Sequence, residues 1–141
     1  MSIRARTSQS QGFYYVAASL WAIFDMRGYA WVTGPKTDVW LVRAMALVLL
    51  ANGVSLIIAA VGRGRRAVSA SSQFLGMATA AGLFGIDCYY VLADVISPIY
   101  LFDAALEAAF LIAWLIPPRR QFPVGILRRA APHWRQESEK G

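Results

Sequence analysis

The sequence is poor in the residues that build most enzyme sites. It holds one cysteine, Cys88, so no disulfide can form within the chain. It holds one histidine, His133, which lies in the C-terminal tail. A zinc centre of cysteine and histidine ligands is excluded on ligand count. No Ser-His-Asp set, no phosphate-binding glycine loop and no HExxH segment is present, so the common hydrolytic and nucleotide-dependent chemistries have no carrier. No cofactor and no dedicated metal site is expected. Charge is also scarce: Asp, Glu, Lys and Arg make up 16% of the chain, against about 25% in an ordinary soluble domain.

Apolar residues take the vacated share, 57% of 141 residues. They fall in four long blocks, the pattern of chains whose solvent is the bilayer. The expected fold is therefore all-α, a four-transmembrane-helix bundle with short loops. The spans are placed at about 12–29, 39–61, 72–96 and 99–116. Residues 1–11, rich in Ser, Gln and Arg, read as a polar basic segment that is disordered or lies at the headgroups. Residues 117–141 read as a basic cytoplasmic tail lying on the membrane surface, with its arginines toward anionic headgroups.

Punctuation in the sequence supports these boundaries. Thr33-Gly34-Pro35-Lys36 reads as a turn, with Thr37 or Asp38 placed to cap the next helix. Ser97-Pro98 marks a second turn, and Pro117-Pro118 stops the last span because proline lacks the N–H and clashes with the preceding turn. In the first span, Tyr14, Ala18, Trp21, Asp25 and Gly28 fall on one stripe, which reads as its packed face. In the second, Ala46, Gly53 and Ala60 recur every seventh residue, a spacing that lets helices approach closely. Asn52, on the face opposite Arg43, reads as an interhelical hydrogen-bonding residue.

The bases set the orientation. Arg4, Arg6, Arg63, Arg65, Arg66, Arg119, Arg120, Arg128, Arg129, Arg135 and Lys140 fall on one side of a four-span plan. Only Arg27, Lys36 and Arg43 of the 14 fall on the other. The positive-inside rule then puts both termini in the cytoplasm. The Gly62–Arg66 loop reads as a topology signal, and its lack of interleaved aromatics argues against nucleic acid as a partner. The compact loops suggest a bacterial inner membrane. The acids divide the other way: Asp25, Asp38, Asp87, Asp94, Asp103 and Glu107 all lie in the outward half.

Four of these acids define the candidate site. Asp87 and Asp94 are two helical turns apart on the third span; Asp103 and Glu107 are one turn apart on the fourth. If the two helices fold back at residue 98, Asp94 meets the level of Asp103. Asp87 and Glu107 then share a deeper level, roughly 13 Å from the turn at 1.5 Å per residue. A lone acid at a helix centre costs about 2.5–3.5 kcal/mol on insertion scales, so these faces are expected to point inward. Arg43 lies at a similar depth and is the expected ionic partner. Trp21 and Tyr90 are the aromatics expected to flank a bound cation through their ring faces.

These features rank three functions. The first is a small multi-pass protein whose outward acidic cavity binds a cationic ligand or protons, with a part in transport. The second is an accessory or structural subunit of a larger membrane complex, or a homo-oligomer, packed through Gly/Ala faces. The third, an enzyme modifying a lipid or sterol, ranks last because nothing in the carboxylate spacing specifies acid–base chemistry. The size and four-span plan resemble those of the small multidrug resistance exporters. That family carries one essential Glu in mid first span, where this chain has only Asp25 near the span's end. The motif is absent, and no family is assigned.

Overall fold

The computed structural model describes residues 2–62 and 68–117. Within them the chain is all helix, with no strand: α1 (Ile3–Phe24), α2 (Met26–Thr33), α3 (Val39–Val61), α4 (Ala70–Leu92) and α5 (Tyr100–Leu115). The Arg63–Arg66 part of the basic loop, read as a topology signal, and the tail from Pro118 onward, read as membrane-surface, lie outside the described residues.

The helix ends follow local chemistry. Ser2 caps α1, its Oγ accepting from the Ala5 N–H at 3.2 Å, and Ser69 caps α4 by accepting from the Ser72 N–H at 3.2 Å. Such caps satisfy N–H groups that the helix itself leaves free. Gly34 ends α2 at φ 92, a conformation open to glycine without a Cβ clash. Asp94 also adopts positive φ, 57°, which its short polar side chain tolerates better than most. It lies in a link of several residues, 93–99, between α4 and α5.

Four boundary expectations need correction. Residues 3–11 are helical and continuous with the first block: Ser8 and Gln11 find partners on other helices, which a sequence read segment by segment does not reveal. The first block is broken at Asp25, which leaves helical geometry (φ −124, ψ 66) and turns its Oδ1 to the Gly28 N–H at 2.9 Å, starting α2. Asp38 precedes α3 but makes no side-chain cap; its Oδ2 takes a hydrogen bond from Thr37 at 3.3 Å instead. Finally, α4 ends at Leu92 and not near Ile96.

The helices pack as two pairs, α1 with α3 and α4 with α5, and the pairs meet along a narrower seam. The α1–α3 contact is built from small residues. Ala5, Ser8, Gly12, Ser19 and Ala22 are buried on α1; Ala46, Gly53, Leu56 and Ala60 are buried on α3. At the crossing a Cβ added to Gly12 would lie 2.7 Å from the Gly53 carbonyl oxygen, so two glycines are what allow the backbones this close. The seventh-residue spacing on α3 therefore marks its packed face. On α1 the packed face is not the Tyr14–Gly28 stripe: Trp21 and Asp25 are exposed, and the buried stripe is the neighbouring one through Ser8, Gly12, Tyr15 and Ser19.

The distribution of polarity is unusual. Fully or nearly fully buried positions include Ser8, Gln11, Ser19, Asp87 and Glu107, while Phe24, Trp31, Phe74, Leu92 and Phe102 are exposed. Two helices, α3 and α4, are long and apolar enough to cross a membrane.

Candidate functional site

Nearly all polar contacts between the two helix pairs lie in the seam. From α1, the Tyr15 hydroxyl donates to Glu107 Oε2 at 2.9 Å, and the Tyr14 hydroxyl donates to Asp103 Oδ1. Gln11 Nε2 donates both to the Tyr15 hydroxyl oxygen at 2.8 Å and to the Gly76 carbonyl of α4 at 2.9 Å. Its Oε1 accepts from Trp114 Nε1–H of α5 at 2.7 Å. From α3, Asn52 Nδ2 donates to Thr79 Oγ1 of α4 at 2.5 Å, the interhelical role its position suggested. Tyr14, Tyr15 and Gln11 can all reach the seam because positions 11, 14 and 15 share one helical face. On α5, Tyr100, Asp103, Glu107 and Trp114 share a face by the same spacing.

The acids do not meet in the two expected levels. Asp87 lies beside Asp103, carboxyl against carboxyl, and Glu107 lies one turn deeper with both other acids acting on it. The shift follows from the link: a fold-back spread over residues 93–99 moves Asp87 into register with Asp103. Asp94, placed in that link, is exposed and stands apart from the cluster. It lines a cavity of about 610 Å³ between the 33–38 and 94–98 links, together with Lys36, Asp38 and Ser97.

Arg43 is exposed on α3 and is not among the charges acting on Asp87 or Glu107. The reason is topological, since α3 packs chiefly on α1. Trp21 packs edge-on against Tyr29, with ring centroids 5.6 Å apart, and Tyr90 packs the same way on Tyr89 at 5.2 Å. Neither forms part of the seam's hydrogen bonds. The aromatics that do flank the acids are Tyr14 and Tyr15, with Phe110 6.0 Å from the Tyr14 ring. Their signal was present in the sequence, as a Gln-x-x-Tyr-Tyr run on one helix face, but nothing local told which helix that face would meet.

The electrostatics of the cluster are unbalanced. Asp87 is 5% exposed and Glu107 fully buried. Asp87 Oδ2 and Glu107 Oε1 have no hydrogen-bond partner. Asp103 acts on Asp87, and Tyr15, Asp103 and Asp87 act on Glu107, with no basic group among the described residues acting on either. Buried carboxylates without a counter-charge are strongly unfavourable, so the cluster's own chemistry calls for added positive charge. No group of three or more His, Cys, Asp or Glu side chains is arranged to hold a metal ion among the described residues.

No protein-family model matches the chain, and neither a curated protein nor a solved structure is significantly similar to it.

Proposed function

We propose that this is a small multi-pass membrane protein of four spans, both termini cytoplasmic, in a bacterial inner membrane. In its helix seam Asp87, Asp103 and Glu107 take up a proton or a cationic ligand from the outward side, as part of a transport process. One observation carries the reading: polarity is inverted. Charged and amide side chains occupy the buried seam while large aromatic and aliphatic side chains face out. An outward apolar surface of this extent suits lipid better than water, and ionisable residues facing inward in such a setting mark ion or proton paths. A proton suits the site better than an organic cation because Glu107 is fully enclosed.

The test is infrared spectroscopy of the purified chain in lipid. The acid-minus-alkaline difference spectrum should contain a carboxyl C=O stretch at the high-frequency edge typical of groups shielded from water. Glu107→Gln should remove part of it and Asp87→Asn another part, with helicity unchanged. A wild-type spectrum holding only the signals of water-exposed carboxyls would end the proton reading.

A second reading, assembly with another copy or a larger membrane partner, is favoured by α4. A Cβ at Gly82 or Gly85 would meet nothing within 4 Å, and Ala78 and Ala81 on the same helix are exposed. In lipid such a thin, open surface suits close approach of another helix.

A further inference from the structure

The seam's polar groups differ sharply in the two directions away from the carboxyl cluster. Toward the links, the polar file continues. Tyr100 lies one turn from Asp103 on the same face of α5. Its hydroxyl oxygen accepts from Lys36 Nζ at 2.8 Å and lies beside the Tyr29 hydroxyl. Lys36 also sits over the Tyr100 ring, 4.9 Å from its centroid, and lines the cavity of about 610 Å³ that opens between the links. Every member from Tyr100 inward to Glu107 is a hydroxyl or a carboxyl. Such groups can accept a proton at one lone pair and release another.

Toward the termini, the file meets groups that cannot do this. Gln11 has both Nε2 protons and its Oε1 engaged, on Tyr15, Gly76 and Trp114. Because Gln11 donates to the Tyr15 hydroxyl oxygen, that hydroxyl's own proton is directed at Glu107. A neutral amide has no proton to release without changing tautomer, and the indole N–H of Trp114 has no lone pair to accept one. The layer is also tight: a Cβ on Gly76 would lie 2.9 Å from Gln11 Oε1 and 2.9 Å from Trp114 Nε1, so only glycine lets the pair close against α4. It is thin as well: Ser72, one turn from Gly76 on the same face of α4, has its hydroxyl 2.8 Å from that of Ser69, so hydroxyls resume on the terminus side.

We propose that Gln11 and Trp114, closed against Gly76, form a proton seal that leaves the carboxyl cluster open from the link side only. The proposal rests on the proton reading above. In it a proton arriving from the cavity is handed between Tyr100, Asp103, Asp87 and Glu107, and the amide–indole pair bars its onward passage.

The test uses the full chain in vesicles loaded with a pH-sensitive dye, with a valinomycin-set potassium potential of either sign driving protons. Wild-type vesicles should be as tight as empty ones. Gln11→Glu keeps the size of the side chain and replaces the amide with a carboxyl able to relay from Tyr15 to the polar layer beyond. It should raise the proton flux several-fold, and adding Glu107→Gln should return the flux to baseline. Gln11→Ala, which opens a gap instead of a relay, serves if the first variant does not fold. Folded Gln11→Glu and Gln11→Ala vesicles that stay tight, beside a wild-type chain showing the shielded carboxyl band, would overturn the seal and leave the proton reading standing. A leak that survives Glu107→Gln would also overturn it, because the path would then bypass the cluster. A wild-type chain that already conducts as fast as Gln11→Glu has no seal.

Discussion

Helix α1 has two interfaces, and they are built on opposite principles. Against α3 it presents small residues, and the backbones close to the point where Gly12 and Gly53 leave no room for a Cβ. Against α4 and α5 it presents Gln11, Tyr14 and Tyr15, and what these meet is carboxyl, backbone carbonyl and indole. The first contact gains from dispersion over many close atoms and has one best geometry. The second depends on a few polar bonds and leaves buried carboxyl oxygens unsatisfied. The two faces of α1 therefore differ in cost: α1–α3 is the close-packed frame, and the seam, with unsatisfied carboxyl oxygens and no basic group acting on them, is the face that costs stability.

The largest expected effect tests the frame. In Gly53→Leu the new side chain meets the Gly12 carbonyl oxygen 2.8 Å from its Cβ and the Tyr15 Cβ at 3.0 Å. Backbone cannot step aside, so the helices must part. Destabilisation of about 3 kcal/mol, the upper end of the overpacking range, is expected, read as a fall in thermal midpoint in detergent or lipid. A variant as stable as wild type would mean that α1 and α3 are not locked here.

The next effect tests the seam. Tyr15→Phe removes the donor to Glu107 Oε2 and leaves a fully buried carboxyl with no partner on either oxygen. A loss of about 1–2 kcal/mol is expected. In a double-mutant cycle with Glu107→Gln, the two changes should be clearly non-additive because the residues share one bond. Additive effects would show that the seam does not depend on this pair. Comparing Tyr15→Phe with Gly53→Leu then ranks the two interfaces directly.

The contrast between interfaces also explains what could be read from the sequence. The small-residue spacing on α3 is a property of one helix, and so are the Asp103–Glu107 stripe and the Gly34 and Pro117 stops. Each is visible without knowing the partner. The seam is a property of register between helices. Asp87 faces Asp103, and not Glu107, because the 93–99 link is longer than the turn expected at Ser97-Pro98. Arg43 is left outside because α3 commits its small face to α1, which fixes where the rest of α3 can point. The polar start of α1 looked unstructured for a related reason: Ser8 donates to the Leu56 carbonyl at 2.7 Å and Gln11 bridges α4 and α5. Their partners are 48 to 103 positions away in sequence.

The smallest expected effect on the fold belongs to a third surface, one that neither principle yet governs. Gly82 lies on α4 away from both interfaces, and a Cβ there would enter open space. Gly82→Leu should change the stability of the isolated chain by no more than about 0.5 kcal/mol, as exposed substitutions do, or raise it slightly through helix propensity. Size is then its only consequence, and size matters only if another helix seats there. In native mass spectrometry or light scattering from lipid nanodiscs, an assembly packed through Ala78, Gly82 and Gly85 should shift to monomer in this variant. An assembly that persists unchanged would place the contact elsewhere and remove the observation favouring the subunit reading. The frame and the seam should be indifferent to the substitution either way, so the same variant also serves as the control against which Gly53→Leu and Tyr15→Phe are measured.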